Sequence, residues 1–135
     1  MSAGCHYKVG GSKKYVLLSS YRDIIPFSWD GSSIEAPYCS LHRNANGRSH
    51  ITIGSDYEWD GPSGPTLDTA DTLCGSLVHD VLYQLMREER LDRKWRKEAD
   101  KCIRKMCIKD GMPAWRAWVW YYALRIGGGG AARAR

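Results

Sequence analysis

The chain has 135 residues, room for one domain rather than two. Its 43% hydrophobic and 26% charged residues are an ordinary globular composition, which excludes wholesale disorder. The formal charge is +5, and the excess sits in the second half: residues 1–67 carry six Lys/Arg and six Asp/Glu, whereas residues 68–135 carry 14 and nine. A basic half attracts nucleic acid, anionic lipid or an acidic protein, and charge alone does not separate the three.

No apolar run approaches the roughly 20 residues of a membrane-spanning helix. The opening MSAGCHYKVGGSKK has no apolar core and does not read as a secretory signal, so a cytoplasmic start and reduced thiols are predicted. Cys102 and Cys107 are too far apart for a C-x-x-C knuckle and no second pair answers them, which argues against zinc. With Cys74 they are predicted to fill core between helices, as small apolar groups.

Up to about residue 65 the chain reads as strands and turns. YKVGG, KKYVLLSSY and HITIGSDYEW are rich in Val, Ile, Thr and Tyr, and WDGSS, RNANGRS and DGPSGP supply turn chemistry between them. Asn46-Gly47 has the composition of a hairpin turn. A small, twisted antiparallel sheet is predicted.

From residue 66 the period changes to that of helix. Thr69 or Asp71 is positioned to cap a helix running to about Arg90, with Leu77, Val81 and Leu85 on one face. A second helix, about Arg93 to Lys109, carries Trp95, Ala99, Cys102, Ile103 and Met106 at helical spacing and ends at Gly111. Pro113 opens a third, through about Ile126. The fold class predicted is α+β, one domain over residues 1–126 (strand half 1–65, helical half 66–126), followed by a Gly-rich basic tail, 127–135, of flexible-linker composition.

The chemistry concentrates in GSLVHDVLY. His79 and Tyr83 are four residues apart and share a helix face, while Asp80 lies about 100° round the helix. Histidine is the natural general base near neutral pH, and an adjacent aspartate suits a hard, oxygen-loving cation. Asp100, in KEADKCIRK, can orient His79 if the two helices pack antiparallel, and the Tyr83 hydroxyl can join them. Asp100 has a second option, an ion pair with Arg96 or Arg104 on its own helix. Upstream, the loop in YEWDGPSGPTLD offers carbonyls that, with Asp80, can surround a calcium ion.

This constellation resembles the calcium-dependent phospholipase A(2) superfamily, whose hallmark is a Gly-rich loop followed by a helix bearing H-D-x-x-Y. It is closest to the compact, disulfide-poor form in parvovirus capsid proteins, where a Y-x-G-P-G loop precedes H-D-x-x-Y and an A-D pair follows on the next helix. Here the pieces are Tyr57 with Gly61, Pro62 and Gly64, then His79-Asp80 with Tyr83, then Ala99-Asp100. The resemblance implies that His79 activates water, that Tyr83 and Asp100 hold His79, and that Asp80 binds Ca2+ with carbonyls from Trp59, Gly61 and Gly64. It covers about residues 57 to 107, and the loop departs from the pattern by Asp60 and by one extra residue between its glycines. From about residue 50 onward the chain also resembles a family of small uncharacterised proteins of tailed bacteriophages, through WDGPSGPT-D, SLVHDxLYQLMR, EAD, DGM and a closing aromatic helix with R-x-x-G. That likeness implies a phage origin, location in the host bacterial cytoplasm, at a membrane periphery or in the virion, and no particular activity.

The last helix, AWRAWVWYYALRI, holds three of the six tryptophans. Trp115, Trp118, Val119, Tyr122 and Ile126 form one face, predicted to seal the helical layer onto the sheet. Trp120, Tyr121 and Leu124 then lie off it. Trp120 and Tyr121 beside Arg116 and Arg125 suit an anionic phospholipid surface or a protein partner, host or virion. Nucleic acid ranks last, because the chain offers charge without a recognised motif. The leading expectation is therefore a phage-encoded, calcium-dependent hydrolase of phospholipid acyl esters, used against a membrane in lysis, entry or host takeover. The alternative is a non-enzymatic phage accessory protein in which His79, Asp80, Tyr83 and Asp100 form a structural polar network. A His-Asp metal phosphohydrolase ranks third, since His6, His42 and His50 all fall in the strand half.

Overall fold

In the computed structural model, residues 5–10, 13–27, 29, 31, 33–43, 48–60 and 70–127 are described. Among the described residues, seven strands precede three α-helices: β1 Tyr7–Val9, β2 Tyr15–Leu17, β3 Tyr21–Ile25, β4 Ser33–Ala36, β5 Cys39–Arg43, β6 Ser49–Ile53, β7 Glu58–Trp59, α1 Ala70–Arg87, α2 Arg96–Lys109 and α3 Ala114–Gly127, with a short 3-10 turn at Arg93–Trp95 leading into α2. The class is α+β. Among the described residues no helix is long and apolar enough to cross a membrane.

The strands form two antiparallel sheets rather than one. One has the order β1-β2-β7, the other β3-β6-β5-β4. Alternation sets which side of the second sheet faces the core: on β6, Ser49, Ile51 and Ile53 are buried while His50 is exposed. Ile51 pairs with Asp23 and Leu41, and Ile53 with Tyr21 and Cys39. Inward Ser49 is satisfied by donating its hydroxyl to the Phe27 carbonyl at 2.7 Å. β5 and β6 pair antiparallel as a hairpin requires, but Asn46-Gly47 lies outside the described residues.

α1 is already helical at Asp71, which removes Asp71 as its cap; Thr69 lies outside the described residues. From Leu73 to Met86 the helix is apolar nearly all round, and it is buried nearly all round, within a core shared with both sheets and α2. It stops three residues short of the predicted Arg90. The Arg90 amide bonds back to the Leu85 carbonyl at 2.9 Å, with Glu89 in the left-handed region at φ 60°. α2 ends in the same wrapped turn, this time with glycine in the left-handed position: Gly111 has φ 112° and Met112 N–H reaches the Cys107 carbonyl at 2.9 Å.

α3 corrects the expectation made for it. Ala117, Trp120, Tyr121 and Leu124 are its buried residues, and Ala117, Trp120 and Leu124 pack with Ile103, Cys107 and Met112 in a cluster between α2 and α3. Trp115, Trp118, Val119, Tyr122 and Ile126, assigned above to the core, are exposed. The helix has a large apolar surface on both sides, so period alone cannot choose between them. Ala117 marks the inward side: it is fully buried against α2, and Trp120 and Leu124, one and two turns on, pack with it.

Candidate active site

α1 and α2 run antiparallel, in contact along a stripe of three α1 residues spaced by four: Gly75, His79 and Tyr83. At its first step the helices are close. A Cβ on Gly75 would stand 3.1 Å from Cys107 Sγ and 3.2 Å from Ile103 Cγ1, so glycine here sets how near α2 lies. One turn on, His79 Nε2 meets Asp100 Oδ1 at 2.7 Å, and the Tyr83 hydroxyl donates to the same oxygen at 2.6 Å. The His79 and Tyr83 rings lie against each other at a tilt of 38°, with centroids 4.1 Å apart.

The structure thus brings together three of the predicted site residues, and it adds one. Arg125, expected on a lipid- or partner-facing surface, instead donates from Nη1 to Asp100 Oδ2 at 2.9 Å. Neither Arg96 nor Arg104 is the partner of Asp100. Arg96 donates from Nε to the Tyr83 hydroxyl at 3.3 Å and from Nη2 to the carbonyls of Leu124 and Arg125 at 3.1 and 2.8 Å, where it caps the end of α3. Arg104 stacks on the rings of Trp118 and Tyr121, 3.9 and 4.6 Å from their centroids. The signal for Arg125 in the sequence was weak: an arginine in the last turn of a helix, 25 residues from its carboxylate.

Asp100 is 0% exposed and His79 6%. Burial by itself would raise the Asp100 carboxyl, but the hydrogen bonds and charge of His79, then Tyr83 and Arg125, outweigh it and hold the group below its ordinary range. An ionised carboxylate only accepts, so the hydrogen in this bond is carried by His79 Nε2. Tyr83 is pushed up by burial and by its bond to Asp100, so its hydroxyl stays a donor.

Asp80 behaves in the opposite way. It is partly exposed, and its carboxyl is raised from 3.8 to about 6, first by burial and further by the charge of Asp60, against the lowering effects of His79, Lys13 and Arg87. A partly buried carboxylate next to a second one suits a hard cation, which would relieve both terms. Among the described residues no three His, Cys, Asp or Glu side chains converge, so calcium here would draw most of its oxygens from backbone and water. Gly61 and Gly64 lie outside the described residues. Trp59 lies within them, its side chain fully buried and its Nε1 donating to Ser76 Oγ at 3.1 Å, which ties β7 to α1 directly ahead of that loop. Tyr57, just before β7, donates to Gln84 Oε1 at 2.8 Å, a second tie to α1.

The remaining predicted surface residues divide. Trp120 is 2% exposed and Tyr121 is buried, so neither is a docking residue; Arg116 is half-buried. All five cysteines are free thiols, with Cys39, Cys74, Cys102 and Cys107 buried. Cys74 accepts the Cys5 amide at 3.1 Å.

Comparison with protein-family models, with curated proteins and with solved structures finds no match to this chain.

Proposed function

We propose that the protein is a calcium-dependent hydrolase of the phospholipase A(2) type that cleaves an acyl ester of a phospholipid. The observation that carries this reading is the engagement of His79 Nε2 by Asp100 Oδ1 at 2.7 Å, on the same oxygen that takes the Tyr83 hydroxyl. It leaves Nδ1 as the basic nitrogen, with the ring's orientation fixed from behind.

In this mechanism Nδ1 takes a proton from water as the water oxygen attacks the ester carbonyl carbon. Asp100 keeps the Nε2 hydrogen and stabilises the positive imidazolium that forms. When the tetrahedral intermediate collapses, His79 returns the proton to the departing alcohol oxygen, which leaves a lysophospholipid and a fatty acid. A calcium ion held by Asp80 and by carbonyls from Trp59, Gly61 and Gly64 would supply positive charge to the carbonyl oxygen as it becomes an oxyanion.

The test is release of fatty acid from phosphatidylglycerol and phosphatidylcholine vesicles with and without calcium. His79→Gln should abolish release while leaving the melting temperature nearly unchanged, because glutamine can still donate to Asp100. A wild-type protein that melts cooperatively and releases nothing from either lipid sinks the reading.

One observation favours a second reading, a phage accessory protein that binds a host or virion protein. The site's carboxylate also takes Arg125 from α3, a residue with no part in ester hydrolysis, and it is sealed from solvent. That is what a polar lock between helices needs. Thermal shift against calcium separates the two: stabilisation that vanishes in Asp80→Asn favours the hydrolase, and no shift with any metal favours the lock.

A further inference from the structure

Among the described residues, the outward face of α3 is left largely uncovered, with Arg104 of α2 lying over Trp118. Trp115, Trp118, Val119, Tyr122 and Ile126 fall at i, i+3, i+4, i+7 and i+11, one continuous stripe, with Trp115 71% and Ile126 88% exposed. The opposite side of the same helix is filled by α2, so the stripe is surplus to folding. Monomeric surfaces scatter their large apolar groups; a row of this size, with two tryptophans in it, marks a contact.

Charge identifies the contact. Between Arg104 and Gly127 the chain carries five Lys/Arg, of which Arg125 is paired with Asp100, and a single acidic residue, Asp110; the stretch after Gly127 adds two arginines and no acid. Arg104 leans across Trp118 from α2, Lys105 and Lys109 are exposed on that helix, and Arg116 lies on α3 itself. We infer that α3 lies flat on an anionic lipid surface, with the stripe of Trp115, Trp118, Val119, Tyr122 and Ile126 inserted and Arg104, Lys105, Lys109 and Arg116 on the lipid phosphates.

Each residue type suits its place. Tryptophan and tyrosine rings settle at headgroup depth, Val119 and Ile126 reach the acyl boundary, and basic side chains hold anionic headgroups. A second copy of the chain is a poor occupant, because a symmetric pairing on this face sets basic residue against basic residue. Nucleic acid would use the charge and the rings but gain nothing from the aliphatic end of the stripe. The inference stands apart from the hydrolytic reading, since a protein with no activity would dock in the same way.

The experiment keeps the two apart by using vesicles of ether-linked phosphatidylglycerol and phosphatidylcholine, which carry no acyl ester, in the presence of EDTA. The full chain should sediment with mixed vesicles about tenfold or more tightly than with phosphatidylcholine alone, and lose that margin in about 0.5 M salt. The double variant Trp115→Ser/Ile126→Ser should lower vesicle affinity about tenfold without changing the melting temperature, since both residues are exposed. Lys105→Glu/Lys109→Glu should remove the preference for anionic lipid. In the wild type, brominated acyl chains should quench tryptophan emission, a readout that requires insertion and no mutation. Unchanged vesicle binding in the Trp115→Ser/Ile126→Ser variant overturns the inference. So does a wild-type dimer, without vesicle binding, that the same variant splits, or duplex DNA binding that it weakens in place of vesicle binding.

Discussion

α1 and α3 are both helices with apolar residues around most of their circumference, and the molecule treats them oppositely. α1 is enclosed by the two sheets and α2, so each of its faces has a protein neighbour. α3 packs on α2 with one face and turns its other aromatic face outward. An apolar circumference therefore says only that a helix will be covered, not that its own chain supplies the cover. The two helices meet through side chains of α2: the Asp100 carboxylate takes His79 and Tyr83 from α1 on one oxygen and Arg125 from α3 on the other, and Arg96 bridges Tyr83 to the last carbonyls of α3.

The largest way to break this comparison is to remove that link. Asp100→Ala should destabilise the protein by about 3–5 kcal/mol in urea unfolding, because it leaves Arg125 and two α1 donors facing each other without a carboxylate. If the loss is under about 1 kcal/mol, α1 and α3 are not tied together here.

Gly75→Ala tests the enclosure of α1 alone. A methyl group at 3.1 Å from Cys107 Sγ needs the sulfur or α2 to give by a few tenths of an ångström, at a cost of about 1–3 kcal/mol that the roughly 1 kcal/mol better helix propensity of alanine offsets in part. Because Gly75 is one turn before His79 on the same face, the displacement should also lengthen the His79–Asp100 bond, visible as a changed imidazole Nε2 proton signal by NMR. An unchanged signal and stability would mean that the seam has slack.

A smaller and opposite effect is expected where the seam opens to solvent. The folded protein holds the Asp80 proton up to about pH 6, whereas the unfolded chain releases it near 3.8. Folding takes up a proton between those values, so the Asp80 contribution to stability falls as pH rises through this window and stays unfavourable above it. Asp80→Asn, measured in EDTA, should be more stable than the wild type by about 2 kcal/mol at pH 7. The difference should shrink toward zero by pH 4, and one that persisted there would assign the effect to something other than charge.

The helices were legible because their signals are local. Gly111 and Pro113 bracket α2 and α3, and His79, Tyr83 and Asp100 meet because spacing by four on α1 faces an antiparallel α2. Strands β3, β4 and β5 fall outside the stretches that the sequence singles out, apart from Tyr21; SIEA and CSLHR hold one β-branched residue between them, and they are strands because they pair with one another and with β6. Arg125 was placed on the wrong surface for a related reason, since its partner lies on another helix and no pattern within α3 points to it. The inversion of α3 has its own cause, two faces of nearly equal apolar character separated only by the small Ala117. What spacing conveys is periodicity; which side of a period is inside depends on a neighbour the segment does not contain.

Asp100 has a consequence for the order of assembly. Its carboxylate is fully buried and accepts donors from α1 and α3 while belonging to α2, so a chain with only two of the three helices docked leaves a charge partly unanswered away from water. Such half-built states are penalised by that one residue, whichever helix is missing. The helical layer should therefore form and come apart as a unit, with amide protons of α1, α2 and α3 exchanging at a common rate rather than in sequence from the exposed side.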